Sequence, residues 1–138
     1  MRRARHEEGT AAIEMVLIAP ALLLLLAVIV GSGRVVSTKS AVLSVAREAA
    51  RVAAGAPDAR TAERVARDRA RDVASGLGLD PSRLTIRQDA GDFARGAPYE
   101  VSVSYRVQLS DLPAFGFLPG SFVVEARHTE LTERYKSR

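Results

Sequence analysis

The sequence predicts an α+β chain: a long N-terminal helix that starts as a transmembrane segment and continues as an amphipathic one, a second helix, and a three-stranded antiparallel sheet. Three observations predict it. Met15 to Gly33, MVLIAPALLLLLAVIVGSG, is nineteen residues without a charge. Apolar residues then recur at three- and four-residue spacing as far as Ala54, and again after Asp58. Beyond Gly78 the period changes to two, most cleanly in YEVSVSYRVQL from Tyr99 to Leu109. A chain of 138 residues has room for one small domain beside the membrane segment.

Charge and composition narrow the partners and the chemistry. The 20 Lys and Arg against 16 Asp and Glu give +4, spread as +1 over residues 1–9, +2 over 10–57 and +1 over 58–138. No segment concentrates positive charge on one face, which argues against a nucleic-acid partner. The absence of cysteine excludes disulfides, thiolate metal sites, iron–sulfur clusters and thiol catalysis.

The uncharged run covers about 28 Å as a helix, against a hydrocarbon core of ~30 Å. Leu22 to Leu26 leave no polar face, and the rest of the chain is too small to bury such a helix. Pro20 falls in the first turns, where a kink is tolerable if neighbouring helices or water satisfy the freed carbonyl. The run is longer than the ~7–15 apolar residues of an export signal, and Ile29 to Arg34 is an imperfect cleavage site. Arg2, Arg3 and Arg5 on one side face Arg34, Lys39, Arg47 and Arg51 on the other, so the basic residues leave the topology open. Glu14 sits against the start of the run; a carboxylate at that depth points to a partner, although an acid in a first turn also gains from the helix dipole.

After Arg34, Val35, Val42, Val45, Ala46, Ala49, Val52 and Ala53 form an apolar stripe, with Arg47, Glu48 and Arg51 on a solvated flank. One helix is expected from about Thr10 to Ala54, with Gly31 and Gly33 as candidate bends. Gly55-Ala56-Pro57-Asp58 stops it and restarts a helix over about Ala59 to Ser75, capped by Asp58. Within that helix Glu63/Arg67 and Arg64/Asp68 are opposite charges one turn apart. Leu84 to Gln88, Tyr99 to Leu109 and a run from Ser121 read as strands, the first two joined by a hairpin loop from Asp89 to Pro98. Phe122, Val124 and Ala126 alternate before the third strand loses its period. Asp111 to Gly120, DLPAFGFLPG, is a loop whose Phe115, Phe117 and Leu118 cap the sheet edge or contact a partner.

Gly9-Thr10-Ala11-Ala12-Ile13-Glu14-Met15, behind the charged leader MRRARHEE, resembles the processing site of type IV prepilin-like proteins. RxxxGTAAIEMVLIAPALLLLL from Arg5 to Leu26, with AREAARVAA from Ala46 to Ala54, is most similar to the TadE-like family of pseudopilins, found beside tight-adherence (Flp) pilus systems. Met15 departs from that pattern, which has an aromatic after the Glu. The resemblance implies a pilin-like fold and a prepilin-type peptidase acting between Gly9 and Thr10. It implies that Glu14, fifth in the trimmed chain, meets the new amino terminus of a neighbouring subunit and so sets axial register. The organisation it implies is a cytoplasmic leader over 1–9, the spanning and amphipathic helix over 10–54, and an extracytoplasmic α+β domain over 58–138. The partners are membrane lipid, other pilin or pseudopilin subunits and the pilus assembly platform.

No chemistry competes with that reading. His6 and His128 are the only histidines and share no element; Asp89 and Asp92 flank a glycine as turn formers do; Gly76-Leu77-Gly78 lacks the rest of a phosphate loop. No catalytic, metal or cofactor residue is expected. The function expected is that of a minor pilin; the alternatives are a single-pass anchored binding domain outside any filament, or an exported protein released from its signal.

Overall fold

The structure, a computed structural model, describes residues 4–112, 116 and 119–132, with the backbone course alone for 4–12. Helix α1 spans Ala4–Ala54 and helix α2 spans Ala59–Gly76; after a single 3-10 turn, Pro81–Arg83, come strands β1 (Leu84–Asp89), β2 (Pro98–Gln108) and β3 (Ser121–Leu131). The sheet is antiparallel in the order β1-β2-β3. The α+β class, the two helices and the three strands agree with the sequence reading.

The helix ends are set by local chemistry. Asp58 stands in extended backbone ahead of α2; its carboxylate accepts from the Thr61 N–H at 2.9 Å and from the Thr61 hydroxyl at 2.8 Å. These bonds satisfy a donor that the first turn leaves without a partner. At the other end Leu79 N–H reaches Ala74 C=O at 2.8 Å and Gly78 N–H reaches Ser75 C=O at 3.1 Å, with Gly78 at φ +74°. That is the Schellman stop, and it needs a residue that adopts the left-handed region without strain. In the next turn Asp80 accepts from both the backbone N–H and the hydroxyl of Ser82, which hold its carboxyl below the ordinary range.

The fully buried core begins about two turns above Arg34, the charged end of the apolar run. Val42, Val45, Ala46, Ala49, Ala50 and Ala53 of α1 are fully buried, and so are Ala62, Ala66, Ala70 and Ala74 of α2. One alanine per turn on α2 gives it a flat face that lets two helices approach closely. The same stretch of α1 lies over β2 and β3, while α2 meets the sheet chiefly at β1. Strand β2 turns Tyr99, Val101, Val103, Tyr105 and Val107 toward the helices and its serines outward. A core two layers deep results, with the outer sheet face in water.

Four details depart from the expectations. The helix ladder runs through Gly31 and Gly33 without a break and extends back to Ala4. Leu109 leaves the strand for a 3-10 turn closed by Leu112 N–H on Leu109 C=O. Strand β3 continues to Leu131, because His128 and Glu130 take the next two inward positions and pair with each other at 3.1 Å. Phe93 anchors the hairpin loop by standing edge-on to Tyr99, ring centroids 5.8 Å apart.

Candidate functional site on the protruding helix

The lower half of α1 leaves the domain altogether. From Ile13 to Val30 its large apolar side chains are between 45% and 76% exposed, values at which nothing in the chain covers them. Among the described residues this is the one helix long and apolar enough to cross a membrane. Two hydroxyls near its upper end are turned back onto the helix: Ser32 donates to Val28 C=O at 2.7 Å, and Thr38 to Arg34 C=O at 3.0 Å. Hydroxyls bound in this way to the preceding turn make no demand on an apolar environment.

Gly9 and Thr10 lie within the helical backbone of α1. Glu14 follows one turn later, about 6 Å along the axis from Thr10, and is exposed at the start of the rod. No ion pair among the described residues includes it. At the other end Gly31 is buried, and it shares a shallow groove of about 380 Å³ with Val28, Ser32, Val35, Val36 and Leu112. The domain is therefore seated where the rod emerges, with Leu112, just past the 3-10 turn that follows β2, against the last apolar turns of α1. Phe115, Phe117 and Leu118 lie outside the described residues.

The AREAAR run divides by face. Arg47 and Arg51 are exposed, whereas Glu48 accepts from Arg69 of α2 at 3.2 Å. The sequence places Glu48 on a solvated flank; its partner stands 21 residues away, and no local spacing signals the pair. Of the expected pairs within α2, Arg67–Glu63 closes at 3.4 Å and Arg64–Asp68 at 3.8 Å. Arg83, bound to Asp111 at 2.6 Å, ties the start of β1 to the segment after β2, and that bond raises its pKa.

Among the described residues, the sheet carries the one strongly perturbed phenol. Tyr99 donates to the Gln88 side-chain carbonyl, and the Gln88 amide donates to Glu63 C=O of α2, so a hydrogen-bonded chain crosses from β2 through β1 to the second helix. Burial, reinforced by the negative charge of Glu63 and opposed by Arg67, pushes the Tyr99 pKa up to about 12.

No curated protein and no solved structure gives a significant match to the chain. A family does. Residues 9–51 match the family model described as TadE-like protein, from Gly9 through Glu14 and Pro20 to Arg51, the second arginine of AREAAR. The match covers the exposed rod and runs on into the part of α1 packed on the sheet, and it does not extend to α2 or the strands.

Proposed function

We propose that the protein is associated with a Tad-type pilus, and that within this class it acts as a minor pilin or pseudopilin. It stands in the membrane by a single pass, N-terminus cytoplasmic and domain outside, and a prepilin-type peptidase trims it between Gly9 and Thr10. Its apolar rod then packs against the rods of other subunits at the assembly platform. Phe115, Phe117 and Leu118 are candidate contacts to those partners. The reading assigns the chain no reaction and no cofactor.

One observation carries it: the residues that match the TadE-like model include the whole stretch the domain leaves bare, Ile13 to Val30, a rod with one acid at its foot. Covered by lipid alone, such a rod has no use for Glu14. Beside a second trimmed rod, Glu14 neutralises the Thr10 amine of its neighbour, as charges in a low dielectric require, and the one-turn separation offsets the two rods by about 6 Å.

Intact-mass measurement on protein from membranes and from sheared surface fibres tests this. Chains beginning at Thr10 in both fractions are expected, and Glu14→Ala should still be trimmed but be depleted from the fibres. Chains that keep Met1 and never leave the membrane would instead identify an anchored binding domain.

A further inference from the structure

We propose that the two open edges of the sheet pair with each other between copies of this chain. Strand β3 of one copy receives β1 of the next in parallel, in the register that sets Arg87 beside Glu125. Among the described residues the order β1-β2-β3 leaves both outer strands as edges. Neither contains a proline, and β3 is eleven residues long, so these are edges able to accept a strand.

Backbone parity permits the pairing. Thr132 exchanges hydrogen bonds with Ala97 and Gly96 on the β2 side, so even-numbered residues of β3 point their amides at β2 and odd-numbered ones at open solvent. Val124 and Tyr105 are opposite one another, as are Ser104 and Thr85. The same alternation therefore aims Leu84, Ile86 and Gln88 outward from β1. In a parallel ladder a residue bonds to the two neighbours of the residue it faces. Glu125 beside Arg87 satisfies this: its amide and carbonyl meet Ile86 and Gln88 of the next copy.

Direction and face restrict the choices further. Both β1 and β3 run antiparallel to β2, and β2 ends at the emerging rod, so copies anchored the same way up present these strands in parallel. Leu84 and Ile86 must stay on the helix side with Phe122 and Val124, which allows only shifts by an even number of residues. In the level register Arg87 faces Arg127, since both pair with Ser102. A shift of two in one direction sets Arg87 against Thr129 and Asp89 against Leu131. The opposite shift sets Arg87 against Glu125 and Asp89 against Arg127 on the outer face, with Leu84 on Phe122 and Ile86 on Val124 inside. Arg127 already bridges Glu100 and Glu125 within its own chain, at 3.3 and 3.8 Å, so Arg87 and Asp89 extend an existing row of alternating charge. The occupant that this pattern complements is a second copy, offset by two strand residues, about 6.6 Å.

The pairing does not require trimming or a filament, so its success or failure is separable from the pilus reading. The chain has no cysteine, and within one chain Arg87 and Glu125 are two strands apart, about 10 Å, beyond disulfide reach. The full-length double variant Arg87→Cys with Glu125→Cys, oxidised in its membrane, should give a ladder of dimers, trimers and larger species. The level-register pair, Arg87→Cys with Arg127→Cys, should give about tenfold less. In a Thr85→Cys, Val123→Cys background the ladder should collapse with Arg87→Glu and return when Glu125→Arg is added. Equal ladders for both registers, monomers throughout, or capture of a different polypeptide in cells would each overturn the proposal. A ladder from chains that keep Met1 would sink the pilus reading alone, and fibre-borne trimmed chains without a ladder would sink the edge pairing alone.

Discussion

Ala66→Leu tests how closely the two helices meet. Ala66 is fully buried in the middle of the alanine row of α2, facing the Val45 to Ala53 stretch of α1. Leucine ranks beside alanine in helix propensity, so the substitution leaves α2 as good a helix as before and its whole cost is steric. Inserting methylenes into a filled core costs about 1–3 kcal/mol. Each kcal/mol lowers the midpoint of a domain of this size by roughly 4–8 °C, so a drop of at least ~4 °C is expected, about 12 °C at mid-range. The assay is thermal unfolding of the full chain in its membrane, followed by tyrosine fluorescence, because Tyr99 and Tyr105 are both buried and no tryptophan competes. Arg71→Leu on the exposed face of the same helix is the control, expected to move stability by no more than about 0.5 kcal/mol. If Ala66→Leu falls within the range of that control, the helices do not pack through their alanines and the two-layer core described above is wrong.

Three further outcomes follow from named contacts. Asp58→Ala should destabilise the domain by about 1 kcal/mol in chemical denaturation, with Asp58→Asn retaining most of that stability. The Tyr99 phenol, held near 12 in the fold against ~10 in the unfolded chain, contributes stability that is complete below pH 10. That stability is lost as the pH climbs toward 12, because only the unfolded state then ionises; a denaturation series across this window should decline, and Tyr99→Phe should flatten the decline. Glu48→Ala should cost under about 1 kcal/mol, since its Arg69 partner is half exposed and screened by solvent; a larger loss in the same denaturation assay would mean that the pair is a structural clip.

The sequence carries the elements wherever a residue's effect is local. Gly55-Ala56-Pro57-Asp58 can only interrupt a helix and start another, and the alternation from Tyr99 onward can only be a half-buried strand, so both were legible. Leu109 was not, because its departure depends on a turn closed three residues later. The end of β3 was hidden for a different reason: His128 and Glu130 hold inward positions by pairing with each other, which keeps the geometry and erases the hydropathy signal. Gly31 and Gly33 read as bends since glycine weakens an isolated helix, yet the ladder continues through both. At the candidate site, Glu14 and the bare rod were readable from charge and length alone. Two relations were not: Glu48 with Arg69, and the match between the outer strands, since both depend on which segments the fold brings level.

The ladder of α1 beyond Pro20, continuous as far as Ala54, has a mechanical consequence. No joint separates the anchor from the stretch that carries the sheet, so the domain is bolted to a lever about 30 Å long from Arg34 to Ala54. Tipping the anchor by ~10° swings the far end by about 5 Å, close to the spacing of adjacent strands in a sheet. For copies paired as proposed, bilayer thickness, by fixing how far the apolar half leans, would set whether neighbouring sheet edges stand within reach of one another.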